Sequence, residues 1–274
     1  MSTPDAPRLR RHRIDWEAAS LELLFKALTA LAVLFLLAPS VIVILTSFTS
    51  SASLKFPPPG LSLRWYVALF DADQMQRAAW NSLQVAFWTT LISVTLGTAA
   101  SLAIARSSSP WIRAADVLFM SPLVLPALAF GFASLILVFR PNLPFLVLAH
   151  GVVCVPFGLG TTLAALTQLD PALLDASTSL GASPWMTFRR VTLPLIGRGV
   201  AAGGFLAFMA SFDNVPVSLF LADERTEVLP IHLWQQIETN LDVRTAAASG
   251  LIVLFTLVLM IAAERFAGLT RQLR

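Results

Sequence analysis

Six apolar stretches, at roughly 23–48, 83–105, 114–139, 143–167, 194–221 and 246–266, take up most of this chain and restrict its fold more than any other feature. A bilayer core about 30 Å thick is crossed by roughly 20 apolar residues in a helix, and each stretch reaches that length. Backbone amides inside hydrocarbon find no water, so a spanning segment satisfies them within its own helix or across a closed barrel. None of the stretches alternates with period two, as barrel strands do. The expected fold class is therefore all-α, a polytopic membrane protein with about six transmembrane helices. Composition agrees: 56% of residues are hydrophobic and 13% charged, against roughly 25% charged in soluble domains.

The first stretch follows Arg8, Arg10, Arg11 and Arg13. It is longer than the roughly 7 to 15 residues of a signal-peptide core and no A-x-A site follows, so it reads as an uncleaved anchor. With the amino terminus inside, 13 of the Lys and Arg residues fall on cytoplasmic segments and 6 on external ones, although the two longest loops are external. That bias sets the orientation, with both termini cytoplasmic. The net charge of +3 lies in short clusters between apolar stretches, a topological signal and not a nucleic-acid patch. A single cysteine, Cys154, excludes an internal disulfide and multi-cysteine metal sites. His150 has no second ligand at metal spacing and reads as a packed, hydrogen-bonding side chain.

The most informative segment is 170–194, DPALLDASTSLGASPWMTFRRVTLP. It is too long for a tight turn and is punctuated like two short helices. Asp170 is placed to cap a helix that starts at Pro171, and Gly181 to end it; Ser183 and Pro184 repeat the start signal. Leu173, Ala176, Ser177 and Leu180 share one face at three-to-four spacing. Trp185 and Phe188 stand beside Arg189 and Arg190, and Pro194 is expected to start the next span. Such a knob suits a groove on another protein. It equally suits the headgroup layer, where Trp185 and the arginines would anchor an interfacial helix.

The segment resembles the EAA loop of binding-protein-dependent ABC importer permeases: Glu-Ala-Ala, three residues, Gly, then Leu-Pro. The matching positions are Asp175, Ala176, Ser177, Gly181, Leu193 and Pro194, with Ala182, Ser183, Phe188 and Val191 in support. Asp175 replaces the usual glutamate and Ser177 the second alanine. From Asn81 through the sixth stretch the chain also resembles the type I, MetI-like permease fold, and in particular the second permease of spermidine/putrescine-type systems. The resemblance implies one permease of an importer in a bacterial inner membrane. Its partners would be a second homologous permease, two cytoplasmic ATPases that use ATP and Mg, and an external solute-binding protein, within membrane lipid and with no nucleic acid. It implies an ATPase-coupling set of Asp175, Ala176, Ser177, Gly181, Trp185, Phe188, Arg189, Leu193 and Pro194, and a polyamine or related organic cation as solute. The organisation expected is a cytoplasmic segment 1–22, a first helix 23–48, an external loop 49–80, a five-helix permease domain 81–266 and a tail 267–274. The chain is expected to bind no cofactor and to be no enzyme, and it contains no G-x-x-x-x-G-K-[ST] phosphate loop.

Within the spans, Pro122 and Pro126 are expected to bend the third helix, as a gate or as a fixed kink. Asp213 and Asn214 lie in the fifth span. Asp213 reads as the one carboxylate well inside a span, and such a group usually faces a bundle interior or a watery path; the competing role is a cap before Pro216. Small residues around Gly97, at Gly158 and Gly160 and from Gly199 to Gly204 are expected to let helices approach. Tyr66, Trp80, Trp88 and Trp234 read as interfacial anchors. The alternative of a secondary transporter wants paired intramembrane charges and an inverted repeat, which the sequence does not offer. A membrane hydrolase wants a nucleophile with a base or a metal-bound water, and no such set is present.

Overall fold

A computed structural model of the chain describes residues 16–107, 109–137, 142–239 and 242–267. Its helices are α1 (Trp16–Ser47), α2 (Arg64–Ala68), α3 (Asp73–Ala105), α4 (Pro110–Met120), α5 (Ala127–Leu137), α6 (Leu143–Thr167), α7 (Pro171–Ser179), α8 (Pro184–Thr187), α9 (Leu193–Phe212), α10 (Val215–Leu221), α11 (Leu229–Thr239) and α12 (Val243–Ala267). A 3₁₀ turn, Ser121–Leu123, follows α4, and a π-helical turn, Phe188–Thr192, joins α8 to α9. Among the described residues the β structure is one isolated bridge, Thr49 to Leu61. Among the described residues five helices are long and apolar enough to cross a membrane, and a bent pair brings the number to six when it is counted as one span. The leading arginines, Arg140, Arg271 and Arg274 lie outside the described residues.

The core is α3, α6 and α9, pressed together through small residues. Thr89, Ser93, Gly97 and Ser101 recur every four residues and form one buried face of α3. Three of them donate hydroxyl hydrogen bonds to α6 carbonyls: Thr89 to Val147 at 3.3 Å, Ser93 to Cys154 at 2.6 Å and Ser101 to Leu159 at 2.9 Å. At Gly97 an added Cβ would lie 2.6 Å from the carbonyl carbon of Gly158, and at Gly203 one would lie 2.9 Å from the Gly158 Cα. Three backbones therefore meet at Gly158, where side-chain entropy is nil and dispersion contact dense. Residues of α1 from Ser20 to Leu45 are nearly all exposed, and this helix packs along α12. Tyr66 joins its end to the bundle, Oη lying 2.7 Å from Ser47 Oγ.

Three boundaries differ from the sequence expectation. The second span begins at Asp73 and not near residue 83, which shortens the loop expected over 49–80. Asp73, Gln74, Gln76, Arg77 and Asn81 make that extra helix polar, so a hydropathy window does not register it. The third span is two helices bent by 98° across residues 124–126. Pro122 and Pro126 explain the break, since each ring denies a helical hydrogen bond and Pro126 disfavours helical geometry at Leu125. The fifth span starts at Pro184, with no loop before Pro194, and stops at Phe212. A second helix, α10, resumes after Asp213 and Asn214.

Candidate functional site

The loop between α6 and α9 is built by its own residues. Asp170 Oδ1 accepts from the Ala172 amide at 2.9 Å, and Ser183 Oγ accepts from the Met186 amide at 3.3 Å. Each satisfies an orphan donor at a helix start whose first residue is proline. Gly181 takes φ +79°, the left-handed conformation that ends a helix. The amide of Gly181 then returns to the Thr178 carbonyl at 2.9 Å and that of Ala182 to the Ser177 carbonyl at 3.1 Å. Ser177, where the EAA pattern has alanine, bonds Thr187 through the two hydroxyls at 2.9 Å and so ties α7 to α8. Trp185 and Phe188 pack with ring centroids 5.5 Å apart.

What this folding leaves outside is apolar. Leu180 is 88% and Trp185 67% exposed, while Asp175, Ala176, Arg189, Leu193 and Pro194 are also exposed. The sequence-predicted coupling residues thus lie on one short segment and present a knob that the chain itself does not cover. Beyond it, α8, the π turn and α9 form one helical run, Pro184–Phe212, of 29 residues, about 43 Å at 1.5 Å per residue. Pro194 sits inside this run and does not begin it. Its ring would strike the carbonyl four residues back in a regular helix. The π turn removes that conflict: the Leu193 amide donates to Phe188, five residues back.

At the far end of the run Asp213 is the C-terminal flanking residue of α9, its side chain exposed on this chain. The capping role weighed for Asp213 belongs to its neighbour. Asn214 Oδ1 accepts from the Val217 amide at 3.0 Å and starts α10, with Pro216 in its first turn. A buried imidazole reaches both sides of this break: His150 Nδ1 lies 2.9 Å from Ser211 Oγ and Nε2 3.1 Å from Ser218 Oγ. On the other flank Gly131 of α5 meets α10, where an added Cβ would lie 2.8 Å from the Pro216 carbonyl oxygen. Pro122 and Pro126 mark the break that turns α5 toward that contact.

Two features escaped the sequence reading. Asp116, on α4, is a second carboxylate within the expected third span, and its Oδ1 is buried with no hydrogen-bond partner among the described residues. Its position near the edge of the apolar window hid it. Glu227 is the other. It is buried, 3.1 Å from Gln74 Nε2 and 3.3 Å from His232 Nδ1. Asn81 Nδ2 donates to the Arg225 and Glu227 carbonyls at 3.1 and 2.9 Å, and the Leu229 amide donates to Ser82 Oγ at 2.8 Å. These bonds fix the 222–228 turn onto the start of α3. Within the turn, the Thr226 hydroxyl and then the amides of Thr226 and Arg225 hold the Asp223 carboxylate below its ordinary range. A polar cavity of about 750 Å³ lies between, lined by Gln74, Arg77, Asn81, Glu224 and Gln235 among others. No sequence window pairs residues so far apart.

Comparison with known proteins places these features in a family. Residues 97–272 match the family described as the binding-protein-dependent transport system inner membrane component. The spermidine/putrescine transport system permease protein PotC of Escherichia coli (strain K12) is 28% identical over 237 residues, covering 85% of this chain and 89% of that protein. The molybdenum transport system permease protein ModB of Mycobacterium bovis is 31% identical over 212 residues, covering 70% and 80%. Among solved structures, a chain of a bacterial alginate ABC transporter in complex with alginate pentasaccharide-bound periplasmic protein superposes with a TM-score of 0.71. It shares 18% identity and covers 96% of this chain and 98% of that one. The chain therefore belongs to the binding-protein-dependent transport system inner membrane components: it is a multi-pass, non-enzymatic permease subunit of an ABC importer, with the ATPase a separate partner.

Proposed function

We propose that a cytoplasmic ATPase grips the α7–α8 knob, and that its movement is carried along Pro184–Phe212 to a solute path beside Asp213. The continuity of that helix carries the reading. One end bears the exposed coupling residues and the other ends at an exposed carboxylate, so a rigid tilt imposed at the knob displaces Asp213 without any flexible link between. ATP with Mg is used by the partner ATPases. The complete importer pairs this permease with a second, homologous one, two ATPases and an external binding protein. Both termini and the knob face the cytoplasm, in keeping with the distribution of Lys and Arg.

The solute is a polyamine or a related organic cation. The likeness to PotC extends over most of both chains, and the exposed Asp213 carboxylate attracts a cation and repels an anion. Proteoliposomes holding the whole importer test the reading. Asp213→Asn should lower uptake of radiolabelled spermidine or putrescine about tenfold, as loss of a group that meets a desolvated cation does, with ATP hydrolysis retained. Unchanged uptake kinetics would remove Asp213 from the path. Excision of 172–186 should abolish copurification of the ATPase, and retention of a stoichiometric ATPase would remove the knob from the coupling surface.

A further inference from the structure

We propose that His150 is the pin that sets the direction in which α10 leaves the broken fifth span, making it a positioning residue for the Asp213 path. The effect on transport rests on the reading of Asp213 above; the effect on the geometry of the break does not.

The break itself is fixed locally. Pro216 offers no amide to continue α9, Asn214 caps the new helix, and the amides of Asp213 and Asn214 return to Met209 and Ser211 at 3.1 and 3.3 Å. The Asn214 amide bond to Ser211 and a further one from the Val215 amide to the Asp213 carbonyl, at 3.0 Å, cross the break, but each joins only the residues beside it and none reaches the body of α10. The groups that reach it there come from neighbouring helices. Gly131 of α5 touches α10 by backbone contact, which excludes approach but does not orient by polar bonds. His150 alone among the described residues makes side-chain hydrogen bonds to both α9 and α10. Ser211 and Ser218 would stand about 10.5 Å apart along the axis of an unbroken helix. Two short bonds from one five-membered ring reach both because the chain turns between them.

The chemistry suits a fixed pin. A neutral imidazole has one donor and one acceptor, and a serine hydroxyl serves as either, so the bridge is satisfied in both tautomers. His150 is 1% exposed and lies on α6, the most enclosed span, beside Leu146, Val147, Ala149 and Cys154. In such surroundings an unpaired polar atom is costly, so the three side chains hold one another in place. A leucine would fill similar space and supply no bond. Each serine would then turn to a carbonyl of its own helix, and α10, still packed through buried Val217 and Leu221, would lose its polar tether to α9.

The test uses the assembled importer in proteoliposomes, with spin labels on cysteines introduced at Leu206 on α9 and Leu219 on α10, both exposed on this chain; native Cys154 is buried. The parent protein should give one narrow distance distribution. His150→Leu should broaden or shift it and lower spermidine uptake about tenfold, within the range by which coupling residues act. The Ser211→Ala/Ser218→Ala pair should reproduce that result, and adding His150→Leu should worsen nothing, as expected of groups acting as one unit. His150→Gln, which keeps a donor and an acceptor, should recover part of both readouts. An unchanged distance distribution in His150→Leu, or losses that add, would overturn the pin. Should His150→Leu fail to assemble, the two single serine variants give the same reading with a milder change. Asp213→Asn runs in parallel: normal uptake there with a broadened His150→Leu distribution removes the Asp213 path and leaves the pin standing. Reduced uptake with no change in distance does the reverse.

Discussion

The coupling knob and the broken fifth span are two interruptions of the same helical path, and they are held in opposite ways. At the knob every bond that shapes the chain is short in sequence: Asp170 to Ala172, Ser183 to Met186, Gly181 to Thr178, Ser177 to Thr187. At the break the orienting contacts come from elsewhere, His150 from α6 and Gly131 from α5. A segment that folds by local signals can stand exposed and wait for a partner. A segment oriented by its neighbours must be buried among them, and it moves only when they do. That difference suits a lever with a handle outside and a fulcrum inside.

The largest expected effect lies at the fulcrum. Gly131→Leu puts a side chain where the Pro216 carbonyl and the Val217 Cα already stand at 2.8 and 3.2 Å from an added Cβ. Backbone cannot yield as a flexible side chain does, so the variant should lose about 2–3 kcal/mol of stability. It should show reduced folded yield and an earlier thermal transition in detergent. A melt like that of the parent would mean that α10 is not clamped from this side.

At the handle the same kind of substitution should act differently. An added Cβ on Gly181 meets nothing within 4 Å, so the obstacle is backbone conformation alone. A β-branched residue at φ +79° costs about 1–2 kcal/mol locally. Gly181→Val should therefore leave the melt of the bundle nearly unchanged while ATP hydrolysis in the assembled importer no longer drives uptake. Gly181→Asn should keep most uptake, since asparagine tolerates the left-handed region. Equal losses in both would point to steric blockage by the partner and not to the turn.

Legibility followed the same division. Asp170-Pro171, Gly181 and Ser183-Pro184 are adjacent-residue signals, and they mark the ends of α7 and the start of α8 where the structure has them. The fall of the spans and the use of Gly97, Gly158 and Gly203 as contact points were equally readable, because apolar length and small side chains act through general rules. Three things were not. The run Asp73–Asn81 is helical but polar, so it hides from hydropathy. Pro194 looked like a start because proline favours the first helical turn, yet a π turn absorbs it within a continuous helix. The roles of His150 and Glu227 depend on which helices pack together, and a lone imidazole or carboxylate in sequence does not name its partner.

The smallest expected effect concerns the point where the knob departs from its family pattern. Ser177 stands in place of an alanine, and its hydroxyl bonds Thr187 across the two short helices at 2.9 Å. Thr187 is buried, so Ser177→Ala leaves a hydroxyl with one partner fewer and costs about 1 kcal/mol. The loss falls on the stiffness of the knob and not on its capping bonds, which Asp170 and Ser183 keep. Uptake should drop by less than about threefold, in line with a helix pair loosened by one neutral hydrogen bond. Protection of the Ala182 and Thr187 amides against hydrogen exchange should fall with it. Ser177→Ala with Thr187→Val removes both polar partners and should restore the protection, because nothing is then left unsatisfied. If the double substitution exchanges faster than the single one, the hydroxyl pair is not what joins the helices, and packing of Trp185 on Phe188 would carry the knob's rigidity instead.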